Sequence, residues 1–249
     1  MDFVDRFTGR SAAERFSPET LFKFTDLTLP VQKHLEKVYA TLAAALLVSA
    51  LGTYVNIATG LGGFLAAMGF VVCATWLTMT EATAFNLNKR YSLLAGAAFS
   101  QGLTLGPLVS MALAVHPGVL LTAFVATAAS FACFSGAAML SRRRSWLYLS
   151  GTLSSAMSIM LVMRLATWMF GGRTMAFQLE LYGGLAVFLG YVLLDTQVII
   201  EKAYQGNKDH IRAALDLFVD FMAIFVRLLV ILLQNAEKKE ERRERKRRQ

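Results

Sequence analysis

Charge is scarce in this chain. Asp, Glu, Lys and Arg make up 17% of its 249 residues while 55% are hydrophobic, poorer in charge and richer in apolar side chains than an ordinary soluble domain. With 4 prolines and 18 glycines it is neither collagen-like nor of low complexity. The two cysteines, Cys73 and Cys133, both lie inside apolar runs, which excludes a disulfide scaffold and marks them as packing residues. A cleavable export signal is also missing, because the first sustained apolar run starts near Val38 and the stretch before it carries both signs of charge. The chain is expected to enter the membrane through its own first span.

The formal charge of +8 suggests nucleic acid until it is located. Half of it falls in the last thirteen residues, Glu237 to Gln249, where eight Lys/Arg stand against four Glu, and the rest is loop charge. No nucleic-acid partner is expected.

Crossing the hydrocarbon core takes about 20 apolar residues in a helix. Seven stretches reach that length, near 38–58, 61–82, 91–114, 118–140, 146–170, 178–200 and 213–234. Connections as short as His116-Pro117-Gly118 leave no room for a soluble domain and force neighbouring helices antiparallel. The expected fold is an all-α polytopic bundle over 38–234, with a cytoplasmic segment at 1–37 and a basic tail at 235–249. Small residues recur inside the spans, among them Ala43 to Ala45, the Gly102/Gly106 pair, Gly136-Ala137-Ala138 and Gly183-Gly184, as close helix packing in lipid requires. Pro107 should kink the third span, a structural kink being favoured over a gate.

With the amino terminus cytoplasmic, that side collects fourteen Lys/Arg: six before the first span, Lys89-Arg90, Arg142-Arg143-Arg144, and Lys202, Lys208 and Arg212. The first three opposite connections hold only Arg173, so the positive-inside asymmetry is strong. Seven crossings would nevertheless put the basic tail outside. The seventh segment is unusual in another way, since Asp216, Asp220 and Arg227 fall on one narrow helical face. A charge at a helix centre costs about 2.5 to 3.5 kcal/mol on insertion scales. The segment must therefore re-enter without crossing, or cross behind a polar interior and carry the tail over.

Asp195 stands about one turn from the end of the sixth apolar run, and the turn from Glu201 to His210 brings the sixth and seventh helices side by side. Asp195 and Asp220 are then expected to face each other at comparable depth. Two carboxylates in a poorly hydrated site cannot both ionise easily, and their proton steps belong to the pair. When ionised, the same oxygens are hard ligands of the kind Ca²⁺ takes, so Ca²⁺ at Asp195 and Asp220 and protonation should compete. An isolated intramembrane Asp is as often a salt-bridged structural residue as a functional one, with Arg227 and Arg164 as the candidate charge partners; three Asp on adjacent helices favour a functional site. Arg164 is also long enough to reach the surface. His116 reads as a turn residue, Glu180 as an acid at a helix N-terminus, and Trp76, Trp146, Trp168 and Tyr191 as interfacial aromatics.

Leu194-Asp195-Thr196-Gln197-Val198-Ile199-Ile200-Glu201-Lys202-Ala203 and Ala214-Leu215-Asp216-Leu217-Phe218-Val219-Asp220-Phe221 resemble the two signature stretches of the Bax inhibitor-1 family, also called the transmembrane Bax inhibitor motif family. Asn235 before the Lys/Arg/Glu tail, the triple Arg142-Arg143-Arg144, and Pro117 leading into Leu121-Thr122-Ala123-Phe124 resemble its eukaryotic members, and the Arg-rich tail its plant members. The resemblance runs in order beyond about Gln32. It implies a multi-pass protein of the endoplasmic reticulum that suppresses programmed cell death and stress responses through a pH-sensitive Ca²⁺ leak. Asp195 and Asp220 would sense pH and gate the pore, with Asp216 one turn earlier in the ion pathway. Bacterial relatives latch the aspartates with a basic residue near the cytoplasmic end of the second span. Here that stretch reads Thr80-Glu81-Ala82-Thr83-Ala84-Phe85, and the nearest bases are Lys89 and Arg90.

The tail bases Lys238, Lys239, Arg242, Arg243, Arg245, Lys246, Arg247 and Arg248 read first as a solvated, disordered charge run with affinity for anionic lipid. Plant-like relatives imply calmodulin binding there, and the family implies Bcl-2-type cell-death regulators or other reticulum membrane proteins as partners. An amphipathic calmodulin target needs apolar anchors, which here must come from Val226 to Leu233. No enzyme and no cofactor is expected, Ca²⁺ being a permeant or bound ion. Intramembrane aspartyl proteolysis would use paired aspartates, but Leu217-Phe218-Val219-Asp220 lacks the Gly-x-Gly-Asp element of such proteases. A seven-span receptor is the weakest reading, since no lysine in the seventh segment offers a Schiff base. The main alternative to a leak is a non-conducting scaffold acting through partners.

Overall fold

A computed structural model describes residues 28–141, 148–170 and 173–247. The sequence features at 1–27, Arg142-Arg143-Arg144, Trp146 and Arg248 lie outside the described residues. The chain forms α1 (Leu29–Thr59), α2 (Phe64–Met79), a 3₁₀ turn (Ala84–Asn86), α3 (Leu87–Val115), α4 (Pro117–Leu140), α5 (Leu149–Phe170), α6 (Arg173–Tyr204) and α7 (His210–Arg247). Five of these are long and apolar enough to cross a membrane, and α2 is a shorter apolar helix. The polytopic helical bundle expected from the apolar runs is therefore the fold.

α7 is the exception in sequence and the centre in space. It carries Asp216, Asp220 and Arg227 on an otherwise apolar stretch, and it packs against α1, α3, α4 and α6. Leu217, Phe218, Ile224 and Leu229 are fully buried among them. Neighbouring helices thus replace lipid around its charged face, which resolves the cost of charge in a spanning segment. α7 runs unbroken through 38 residues, so it does not turn back as a re-entrant segment would.

α1 and α3 begin at the end of the bundle where the α6–α7 turn lies, since His34 and Arg90 both stand beside Asp209. Short as it is, α2 must then return the chain from the far end. α7 starts at that same turn and reaches the start of α6 at Gln234, where Gln178 donates across 3.4 Å. The tail consequently leaves from the opposite end. It is not a coil: helix continues to Arg247, because no Gly or Pro interrupts the Glu, Lys and Arg run beyond Gly206, and all three are good helix formers.

The Gly102/Gly106 spacing does what small residues do in lipid. Gly102 sits against the carbonyl of Ser49, and Gly106 against the side chain of Asn56, so close that a Cβ at either would collide. Thr53 Oγ1 then donates to the Gly102 carbonyl at 3.0 Å. Pro107 lies inside α3, which continues past it.

Candidate functional site

Polar side chains tie α6 to α4 and so aim Asp195. Tyr39 on α1 shares a hydrogen bond with Ser135 at 2.7 Å, and Ser135 another with Thr196 at 3.0 Å. Gln197 Nε2 donates to the Ala138 carbonyl at 2.8 Å and to Ser141 Oγ at 2.7 Å. Successive helical residues point about 100° apart. With Thr196 and Gln197 committed to α4, Asp195 turns toward α7.

There it meets Asp220. The two carboxyl groups lie within hydrogen-bonding reach of each other. Asp220 is 4% exposed, and no donor among the described residues reaches its Oδ2. Two carboxyls bond to each other only by sharing a proton. Asp216, one turn earlier on α7, adds its charge to both, and the bases facing the group are Lys202 and Arg212.

Asp195 and Asp216 also line a cavity of about 180 Å³ that opens toward the α6–α7 turn, with His34, Lys202, Asn207, Asp209 and Arg212 around it. Asp220 lies deeper, behind Asp195. Further along α7 a second cavity of about 370 Å³ is lined by Gln101, Arg164, Glu180 and Arg227 among apolar side chains. Phe218 and Met222, both buried, line this second cavity. No lining residue is common to the two cavities, so they are separate in this conformation.

Among the described residues, neither arginine pairs with an aspartate. Arg164 stands 3.5 Å from Glu180. Arg227 lies 4.5 Å over the ring of Phe188 and donates from Nη1 to the Ala223 carbonyl at 2.9 Å. Its Nε packs where Gly184 has no side chain. The charge-partner expectation fails because Arg227, although on the aspartate stripe of α7, is nearly two turns beyond Asp220 and reaches the other cavity. Glu180 is not at a helix start either, since α6 begins at Arg173.

A resident Ca²⁺ cage at Asp195 and Asp220 is not what the geometry provides. The carboxyls face each other instead of spreading around a cation, and among the described residues no group of three or more His, Cys, Asp or Glu gathers for a metal, whereas Ca²⁺ takes six to eight oxygens. His116 is the turn residue expected: its Nδ1 accepts the Gly118 amide at 3.1 Å at the start of α4. Trp76 sits under Lys89 Nζ at 5.1 Å. Lys238 and Lys239 are exposed on the helical tail, and the backbone of Arg242, Arg243, Arg245, Lys246 and Arg247 continues that helix.

The sequence reading missed an ion pair. Arg90 Nη2 on α3 bonds Asp209 Oδ2 in the α6–α7 turn at 2.6 Å, and Tyr91 Oη meets His210 Nε2 at 2.7 Å beside it. Burial opposes ionisation of Asp209, but the hydrogen bonds from Arg90 and from the Arg212 amide, with the Arg90 charge, outweigh it and hold this carboxyl below the ordinary carboxylate range. The available signal was electrostatic: a cation in the first turn of α3 opposes the helix dipole and calls for an anion.

The family model described as inhibitor of apoptosis-promoting Bax1 matches residues 31–237. Bax inhibitor 1 of Arabidopsis thaliana is 43% identical over 238 residues, covering 96% of each chain. The Oryza sativa protein of that name is 44% identical, over 96% of this chain and 95% of its own. The Mus musculus one is 45% identical over 224 residues, 89% of this chain and 94% of its own. A match of this length and identity makes the chain a member of the Bax inhibitor family, a multi-pass helical membrane protein.

Proposed function

We propose that this protein suppresses cell death from the endoplasmic-reticulum membrane by a Ca²⁺ leak that the proton shared by Asp195 and Asp220 controls. The observation that carries the reading is that pair, half-buried Asp195 and buried Asp220, within hydrogen-bonding reach at the inner wall of an acidic cavity. With the proton in place, the pair bonds α6 to α7 and the two cavities stay separate. Loss of the proton leaves two like charges side by side, which repel and favour separation of the helices. Asp216 then collects the cation in the vestibule, where its carboxylate is a hard oxygen ligand. The role is transport, not catalysis. The relatives' name, Bax inhibitor 1, supports the cell-death part of the reading.

In vesicles reconstituted with the full chain, Asp220→Asn is expected to abolish the pH dependence of Ca²⁺ flux. A flux that keeps its normal pH response in that variant contradicts the reading.

A non-conducting scaffold remains the second reading, favoured by the helical extension of α7 to Arg247, which presents the tail bases in a fixed register for calmodulin or a cell-death regulator. Deleting 237–249 separates the two. A scaffold loses protection while flux persists, whereas a leak follows the aspartates.

A further inference from the structure

Next to the acidic cavity, with His34 as a shared wall, lies a cavity of about 350 Å³ with the opposite character. Every titratable side chain lining it among the described residues is a base: Lys33, His34 and Lys37 from the first turns of α1, and Lys208 and His210 from the α6–α7 turn. Leu29 and Pro30 complete the lining and begin α1, whose N-cap, Thr28, makes no side-chain cap. The positive end of that helix dipole therefore adds to the bases.

Among the described residues no carboxylate lines the cavity: Asp209, beside Lys208 and His210, is already bonded to Arg90, and Glu36, beside Lys37, is exposed. His34 is 5% exposed, and no hydrogen bond from a described residue reaches its ring. Among the described residues, then, a buried imidazole and three ammonium groups converge from two separate elements with no anion between them. The number of donors decides which. Three lysines and two histidines offer more N–H groups than the two oxygens of a carboxylate accept, and they suit the oxygens of a phosphate, for which lysine is a common partner.

Location decides how the phosphate arrives. Lys33 and Lys37 sit just before the apolar run that starts at Val38, so the cavity lies at interface depth, with Leu29 and Pro30 as an apolar rim. Basic pockets between membrane helices at that depth take lipid headgroups. We propose that this cavity binds a phosphate ester carried by an anionic membrane lipid, with Lys33, Lys37 and Lys208 around the phosphate and His34 and His210 as directional donors. The site is separate from the aspartate pair and does not depend on the leak.

Lysine acylation of the full chain in detergent, read position by position by mass spectrometry, tests this. The probes are dioctanoyl phosphatidic acid, glycerol 3-phosphate and dioctanoyl phosphatidylcholine at equal concentration. Phosphatidic acid is expected to protect Lys33, Lys37 and Lys208 several-fold more than Lys238 and Lys239, and phosphatidylcholine to protect none of them. Equal protection by glycerol 3-phosphate would keep the phosphate-ester site and assign it to a soluble ligand. Equal protection of cavity and tail lysines would reduce the effect to general charge attraction and overturn the site, as would no protection at all. Lys33 and Lys208 are exposed, so the K33Q/K208Q double variant should fold. It should lose the protection of Lys37, and protection that persists there also overturns the proposal.

Discussion

Arg90 meets Asp209 at 2.6 Å, and at 3% exposure it is the least exposed charged side chain among the described residues. The pair pins the start of α3 to the turn that sets α6 against α7, and that turn fixes how Asp195 and Asp216 stand around their cavity. Arg90 Nε has no partner of its own, so the guanidinium depends on Asp209.

Asp209→Asn is therefore expected to destabilise the protein by about 1.5 to 3 kcal/mol, the range for a hydrogen bond to a charged group. Because the folded value of Asp209 lies below its ordinary 3.8, the pair's contribution is complete above that value and is lost as pH falls through the lower, folded one. Thermal melts in detergent should show the wild type and variant furthest apart near neutral pH and converging in acid. A constant gap down to the acid end would contradict the assignment.

Gly102 accepts the closest approach of α1. Gly102→Ala is expected to cost about 1 to 3 kcal/mol, as overpacking of a tight interface does, because the new methyl meets the backbone at Ser49. Gly151, where a Cβ meets nothing within 4 Å, provides the control: Gly151→Ala should leave the melting temperature unchanged or raise it.

The direction of α7 predicts the side of the tail. Protease added to sealed microsomes should attack the α6–α7 turn and the tail from opposite sides, so that a tag after Gln249 and a tag in the turn are never cleaved together. Cleavage of both from one side would contradict the seven-crossing course.

Phe218 is fully buried on α7 at the wall of the 370 Å³ cavity. Phe218→Ala is expected to raise basal Ca²⁺ flux, at a stability cost of about 3 to 5 kcal/mol. Size-exclusion profiles would show whether the variant is folded, and unchanged flux in a folded variant would remove this residue from the barrier.

Much of this was legible in the sequence. The apolar runs and their turns fix the number and order of helices, and helical period puts Asp216 one turn before Asp220. The facing of Asp195 and Asp220 also follows from the length of the turn between them. Long-range partners were not legible. Arg227 shares a stripe with the aspartates, but its contact depends on Gly184 and Phe188 on another helix. Arg90 and Asp209 are 119 positions apart, a separation that no periodicity spans. The tail reads as solvated charge by composition, although the absence of Gly and Pro after Gly206 already favoured helix.

The proton that we propose Asp195 and Asp220 share is tested by the pH profiles of Ca²⁺ flux in Asp195→Asn, Asp220→Asn and the double variant, reconstituted side by side. An amide at either position still bonds its neighbour but cannot take part in the exchange. Each single variant should lose the pH response as completely as the double does, because the titration belongs to the pair. A single variant that keeps half the response, or a double whose loss is the sum of two partial ones, would show two independent acids and contradict the shared proton.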